Sequence, residues 1–125
     1  MINIIIEDLG KIFSENEINK IMNSLHFFKP SKGNEPGIYI WKEEVLFYYS
    51  EIDERGRLTE YIEKKNEEDI LYEIYSVVTL NKAIEYATLN KAENDFRKIM
   101  FDKQLELMKK IDKYVVYIGS LSKVI

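Results

Sequence analysis

Ile5, Ile6, Leu9, Ile12 and Phe13 fall near the 3.6-residue spacing of a helix face, and Ser14 then stands three residues before Glu17. Such a pair forms a capping box, in which the Ser14 hydroxyl accepts from the Glu17 amide while the Glu17 carboxylate reaches back to the amide of Ser14. A second helix is therefore expected to start there and to bury Ile18, Ile21, Met22 and Leu25. Residues 30–37 gather both prolines of the chain with two of its glycines, and they read as a loop.

Beyond the loop the period changes. β-Branched and aromatic residues dominate, broken by Lys42-Glu43-Glu44 and by Asp53-Glu54-Arg55-Gly56, each suited to a turn. The pattern predicts three strands over residues 37–41, 45–52 and 57–63 in an antiparallel meander. The middle strand carries Val45, Phe47 and Tyr49 on one pleat face and Leu46, Tyr48 and Ile52 on the other, so it belongs in the centre. The third alternates Leu58 and Ile62 with Arg57, Thr59 and Glu63 and suits an edge. Asn66 is a good helix N-cap, with Glu67, Glu68 and Asp69 in the first turn, where the helix dipole favours negative charge. The helix that follows presents Ile70, Leu71, Ile74, Val77, Val78 and Ile84, with Ala83 and Ala87 permitting close approach. After residues 90–94 a closing helix offers Phe96, Ile99, Met100, Leu107 and Ile111 before Gly119, with Phe96 and Phe101 read as core. The expected fold class is α+β: a helical N-terminal segment, a three-stranded antiparallel meander and two long C-terminal helices packed on the sheet, in a single domain over residues 1–125.

At 125 residues, 46% hydrophobic and 32% charged, the chain has the make-up of a globular domain. Its apolar runs fall far short of the ~20 residues that span a bilayer. Glu7 and Asp8 interrupt the opening where a signal peptide stays hydrophobic, so a cytoplasmic location is expected. Without cysteine there is no thiolate nucleophile, disulfide or cysteine zinc site. The one histidine, His26, reads as a packed ring or a cation near a helix end, with no visible partner for nucleophilic catalysis. The net charge of −4 is unevenly spread: residues 43–73 hold eleven carboxylates against four cations. A segment of that sign repels nucleic acid and attracts basic partners.

Four features stand in order along the chain. A strand carries Tyr48 and Tyr49; Gly56 follows the charged pair Glu54-Arg55 in a turn; Leu71-Tyr72 opens a helix; and Asp95-Phe96-Arg97-Lys98 continues to Phe101, Gln104, Leu105 and Leu107. Over roughly residues 38–112 this resembles the small immunity proteins of bacterial polymorphic toxin systems, including those of contact-dependent growth inhibition. Lys98 occupies the place of a second arginine, and the helical opening has no counterpart in the pattern. The resemblance implies a non-enzymatic, cofactor-free inhibitor that binds a cognate toxin domain stoichiometrically, with nucleases among the toxin classes. The implied partner is thus a protein, with no direct contact to nucleic acid or membrane, and a homo-oligomer stays open. Tyr72, Asp95, Arg97, Phe101 and Gln104 read as structural, Asp95 serving the first turn of the last helix and Arg97 and Gln104 tying elements together. The toxin interface is expected on the acidic middle, at Glu51, Asp53, Glu54, Glu67 and Glu68.

Two other readings fit parts of the chain. Asp53 followed by Glu63 and Lys65 imitates the acid and carboxylate-x-lysine order of divalent-metal-dependent nucleases, although the same spacing arises by chance in a chain this rich in both types. The apolar helix faces would also suit a non-catalytic scaffold or oligomer subunit. Among the aromatic residues, Tyr39, Tyr48, Tyr49, Tyr61, Tyr72, Tyr75, Tyr86 and Trp41 read mostly as core, with one or two left as binding anchors.

Overall fold

The computed structural model describes residues 1–31, 35–90 and 95–111. In chain order these form α1 (Ile2–Leu9), α2 (Glu15–Asn23), β1 (Leu25–His26), β2 (Gly37–Glu43), β3 (Leu46–Ile52), β4 (Leu58–Lys64), α3 (Glu67–Leu89) and α4 (Phe96–Lys109). They divide into two units, one holding Met1 with residues 14–73 and the other residues 2–13 with the described residues from Ile74 onward.

In the first unit the capping box forms as the Ser14–Glu17 spacing requires. Ser14 Oγ accepts from the Glu17 amide at 3.3 Å, and Glu17 Oε1 accepts from the Ser14 amide at 3.1 Å. The helix it starts ends earlier than expected, at Asn23, so Leu25 is buried in a strand and not on a helix face. Leu25 and His26 pair in parallel with Ile38 and Tyr39, which makes the sheet four-stranded and mixed, in the order β1-β2-β3-β4, instead of a three-stranded antiparallel meander. A two-residue strand is too short to leave a period in the sequence and exists only through its neighbour. Gly37 allows that approach: a Cβ there would lie 2.7 Å from the Ser24 carbonyl oxygen, and its φ of 148° suits glycine.

The three antiparallel strands stand where the alternation put them, with β3 inside and β4 at an edge. Their turns decide the register. Glu43 pairs with Leu46, so Glu44 and Val45 form a two-residue connection. Glu44 takes φ 56°, and Val45 is 75% exposed at the turn instead of entering the middle strand as expected. In the next turn the Gly56 amide donates to Asp53 O at 2.9 Å and the Asp53 amide to Arg57 O at 2.9 Å. Gly56 is left-handed at φ 77°, the bulged three-residue hairpin that Asp-x-x-Gly favours. With this register Ile38, Ile40 and Tyr49 share one buried face. The start of α3 supplies buried Ile70 and Leu71 to the same unit, after Asn66 Oδ1 caps the Asp69 amide at 3.0 Å.

The second unit is helical. Ile5 and Leu9 of α1, Ile74, Tyr75, Val78, Ala83 and Ala87 of α3, and Leu107, Met108 and the adjoining Ile111 are buried there. Ile6 and Ile84 are not, at 43% and 39% exposed, and Phe96 and Phe101 are only half-buried. Burial on the last helix concentrates in its C-terminal turn instead, and the expected boundary at Gly119 lies outside the described residues. Asp8, 2% exposed, accepts a 2.7 Å hydrogen bond from the Tyr75 hydroxyl and a longer 3.4 Å contact from Lys11.

A buried carboxylate is costly unless donors surround it. Tyr75→Phe, which keeps the ring and deletes the donor, is expected to destabilise the protein by about 1–3 kcal/mol in urea unfolding. An unchanged midpoint would show that the remaining contacts of Asp8 suffice. Glu44→Gly is expected to act in the opposite sense, raising stability by up to about 1 kcal/mol once the strain of a left-handed side chain is set against the freedom glycine adds to the unfolded chain.

Candidate functional site

The acidic residues of the first unit do not form one patch. Asp53 is engaged by its own turn: Oδ1 accepts from the amides of Arg55 and Arg57, both at 2.9 Å, and Oδ2 from Arg57 Nε at 3.0 Å. The Arg57 amide first, with its side chain and the Arg55 amide adding to it, holds the Asp53 carboxyl below the usual carboxylate range. Glu54 projects from the same turn and is exposed. Glu51 is half-buried on β3 directly across from Glu60, and Glu73 of α3 shares their surroundings. Burial first, then the like charges of Glu60, Asp69 and Glu51, raise the Glu73 carboxyl against the opposing pull of Lys64, whose Nζ lies 3.8 Å away. Glu67 and Glu68 belong to the first turn of α3, which follows the Lys64 end of the hairpin. The expected interface residues therefore separate into Asp53 and Glu54 in a turn at one end, Glu51 on its strand opposite Glu60, and Glu67 and Glu68 at a helix start at the other end.

The same register separates the nuclease-like residues. Asp53 closes the turn opposite Arg57, whereas Glu63 pairs with Tyr48 six residues along β4, roughly 20 Å away at strand rise, and Lys65 lies further still. Among the described residues no group of three or more His, Cys, Asp or Glu side chains could hold a metal ion.

The motif residues on the last helix act locally. Asp95 is the N-cap of α4 and not part of its first turn: its side chain accepts from the Arg97 amide at 2.9 Å. Gln104 Nε2 donates to Ser76 O at 3.0 Å and lies 3.4 Å from Thr79 Oγ1, which ties α4 to α3. Tyr72 and Phe101 are half-buried, and Arg97 is exposed.

A third feature emerges on the face of the sheet opposite Ile38, Ile40 and Tyr49. Cross-strand pairing aligns Trp41 with Tyr48 and Glu63, and Tyr39 with Ser50 and Tyr61. Trp41 and Tyr48 stack with centroids 5.3 Å apart at 12°, and Tyr61 leans on both from 6.3 and 6.0 Å. Tyr61 is 55% exposed, although read as core. The Tyr48 hydroxyl donates to Glu63 Oε1 at 3.4 Å; burial first, then Glu63, Tyr61 and Glu43, raises its phenol pKa. On the neighbouring strand His26 lies two residues past the Ser24 cap of α2 and packs as a ring. Its ring stacks on Tyr39 at 4.5 Å, with Nε2 3.6 Å from Glu35 Oε1. Among the described residues, Tyr39, Tyr49 and Tyr75 are the tyrosines that do fill core positions.

The model of the family described as Immunity protein 63 matches residues 44–114, more than half of the chain. The chain belongs to the Immunity protein 63 family. Comparison with curated proteins returns no match, nor does comparison with solved structures. The Immunity protein 63 segment begins in the β2–β3 turn and takes in β3, β4, α3 and α4, leaving α1, α2, β1 and β2 before it. It includes all five acidic interface candidates as well as Tyr48, Tyr61 and Glu63, while Trp41 precedes it.

The raised pKa of Glu73 has a definite consequence for stability. Its ionised form is disfavoured on folding, so the cost is fully present above the folded-state pKa and disappears below the unfolded value. Glu73→Gln is expected to raise the melting temperature at about pH 7, with the advantage over the parent shrinking as pH falls through the raised range of Glu73. A constant difference across the titration would show that the effect is packing and not charge.

Proposed function

We propose that this Immunity protein 63 family member neutralises a cognate bacterial toxin domain in the cytoplasm by binding it stoichiometrically, without catalysis and without a cofactor. The family match over residues 44–114 is the observation that carries the reading. The charge distribution supports it physically. Eleven carboxylates against four cations in residues 43–73 leave a large negative excess, and such a field accelerates the approach of a basic protein such as a nuclease. Glu51, Asp53, Glu54, Glu67 and Glu68 all contribute to that field at long range. Glu54 and Glu68 are the exposed members and are the ones suited to direct contact. Asp53 contributes its charge while its oxygens stay bound within the turn.

Expression of the toxin domain encoded beside this gene, with and without this protein, tests the reading. Restored growth together with a one-to-one complex on purification is the expected result, and unrelieved toxicity with no complex would overturn it for that toxin. Within such a complex, replacing Glu51, Glu54, Glu67 and Glu68 by glutamine, with Asp53 left in its turn, is expected to slow association about tenfold or more at low salt and to flatten its salt dependence. The dissociation rate should change little.

A further inference from the structure

We infer that the aromatic cluster on one face of the sheet, built from half-buried Trp41 and Tyr48 and exposed Tyr61 and bordered by Glu63 and Glu43, is the anchoring surface for a basic side chain of the toxin. The inference rests on the toxin-binding reading and deepens it by naming where the partner is held once electrostatic attraction has brought it in.

Three strands bring the rings together. Trp41 on β2 and Tyr48 on β3 are cross-strand partners, and Tyr61 on β4 reaches both. Aromatic side chains confined by a sheet bury large area at little entropic cost on binding, which is why tryptophan and tyrosine dominate interface hot spots. Tyr61 leaves more than half of its surface open to a partner. The electrostatics then select the kind of partner. Ring faces carry negative potential, and Glu63 stands at the edge of the cluster in contact with the Tyr48 hydroxyl. Glu43 lies further along β2, its charge shared with Lys29 at 3.4 Å. Among the described residues the cation–ring contacts occur elsewhere, Lys42 over Phe47 and Lys103 over Tyr86. An arginine or lysine that lay on these rings and paired with Glu63 would meet both the π-faces and the carboxylate. A second copy of the same face would bring like charges together, and a phosphate backbone or an anionic lipid surface would be repelled. A basic protein surface satisfies every element of the site.

The test compares dissociation of the adjacent-gene toxin domain from the parent protein, Tyr61→Ala, Tyr61→Phe and Glu63→Gln, with Tyr86→Ala as an exposed aromatic control in the other unit. Tyr61→Ala is expected to weaken binding about 30-fold, mainly through faster dissociation, while Tyr61→Phe stays within a few-fold of the parent. Glu63→Gln should lose about tenfold, and Tyr86→Ala should lose nothing. Matching melting curves for Tyr61→Ala and the parent exclude unfolding as the cause; if Tyr61→Ala melts early, Glu63→Gln decides the matter. A parent that binds and protects while Tyr61→Ala and Glu63→Gln bind equally well overturns the anchoring surface and leaves the immunity function standing. A parent that neither binds nor protects overturns both. Self-association that Tyr61→Ala abolishes, with toxin affinity unchanged, assigns the face to a second copy and overturns the inference.

Discussion

The register of the β2–β3 hairpin is the constraint on which the first unit depends. Side chains alternate across a strand, so a slip of one residue by either strand would separate Ile38 and Ile40 of β2 from the face of Tyr49 of β3, and Trp41 from the face of Tyr48. The two-residue connection at Glu44 and Val45 holds the register, and Glu44 accepts a left-handed backbone to do so. From that pairing follow the buried face shared by Ile38, Ile40 and Tyr49, the stacking of Trp41 on Tyr48, and the arrival of Tyr61 and Glu63 beside them from β4. Glycine would ease the turn conformationally, and the presence of glutamate shows that closing the hairpin outweighs the local strain.

The helical unit relies on polar ties within its packing. Asp8 and Tyr75 lie 67 residues apart, and their hydrogen bond specifies how α1 meets α3 more narrowly than the interchangeable aliphatic contacts around it can. Gln104 reaches the backbone of α3 in the same way, and Asp95 closes the start of α4. Two residues of the family-like motif thus have direct structural explanations in capping and cross-helix hydrogen bonding, with no need of a role at the partner.

Carboxylates of equal formal charge meet different fates in the first unit. Asp53 is stabilised by the amides and guanidinium of its turn, Glu73 is penalised by burial among like charges, and Glu54 and Glu68 stay solvated. At distances beyond a few ångströms a partner feels the sum of these charges; at contact it meets only the exposed ones. Attraction and anchoring therefore draw on different residues, the first on the acidic field and the second on an aromatic face whose rings are separated by seven and thirteen residues along the chain.

Local chemistry by itself determined the α2 cap at Ser14 and Glu17, the bend at Asp53 to Gly56, the three antiparallel strands and the start of α3 at Asn66, because each depends on residues a few positions apart. The acidic character of the middle segment and the resemblance to immunity proteins were equally legible there. Tertiary structure alone decided that Leu25 and His26 form a parallel strand, that Asp8 is buried against Tyr75, and that Phe96 and Phe101 lie only partly covered. It also decided that the five acidic candidates are dispersed and that Tyr61 faces outward beside Trp41 and Tyr48. Alternation tells which residues share a face of one strand, but only pairing across strands tells which side chains from distant positions meet, and burial is settled by what then covers them.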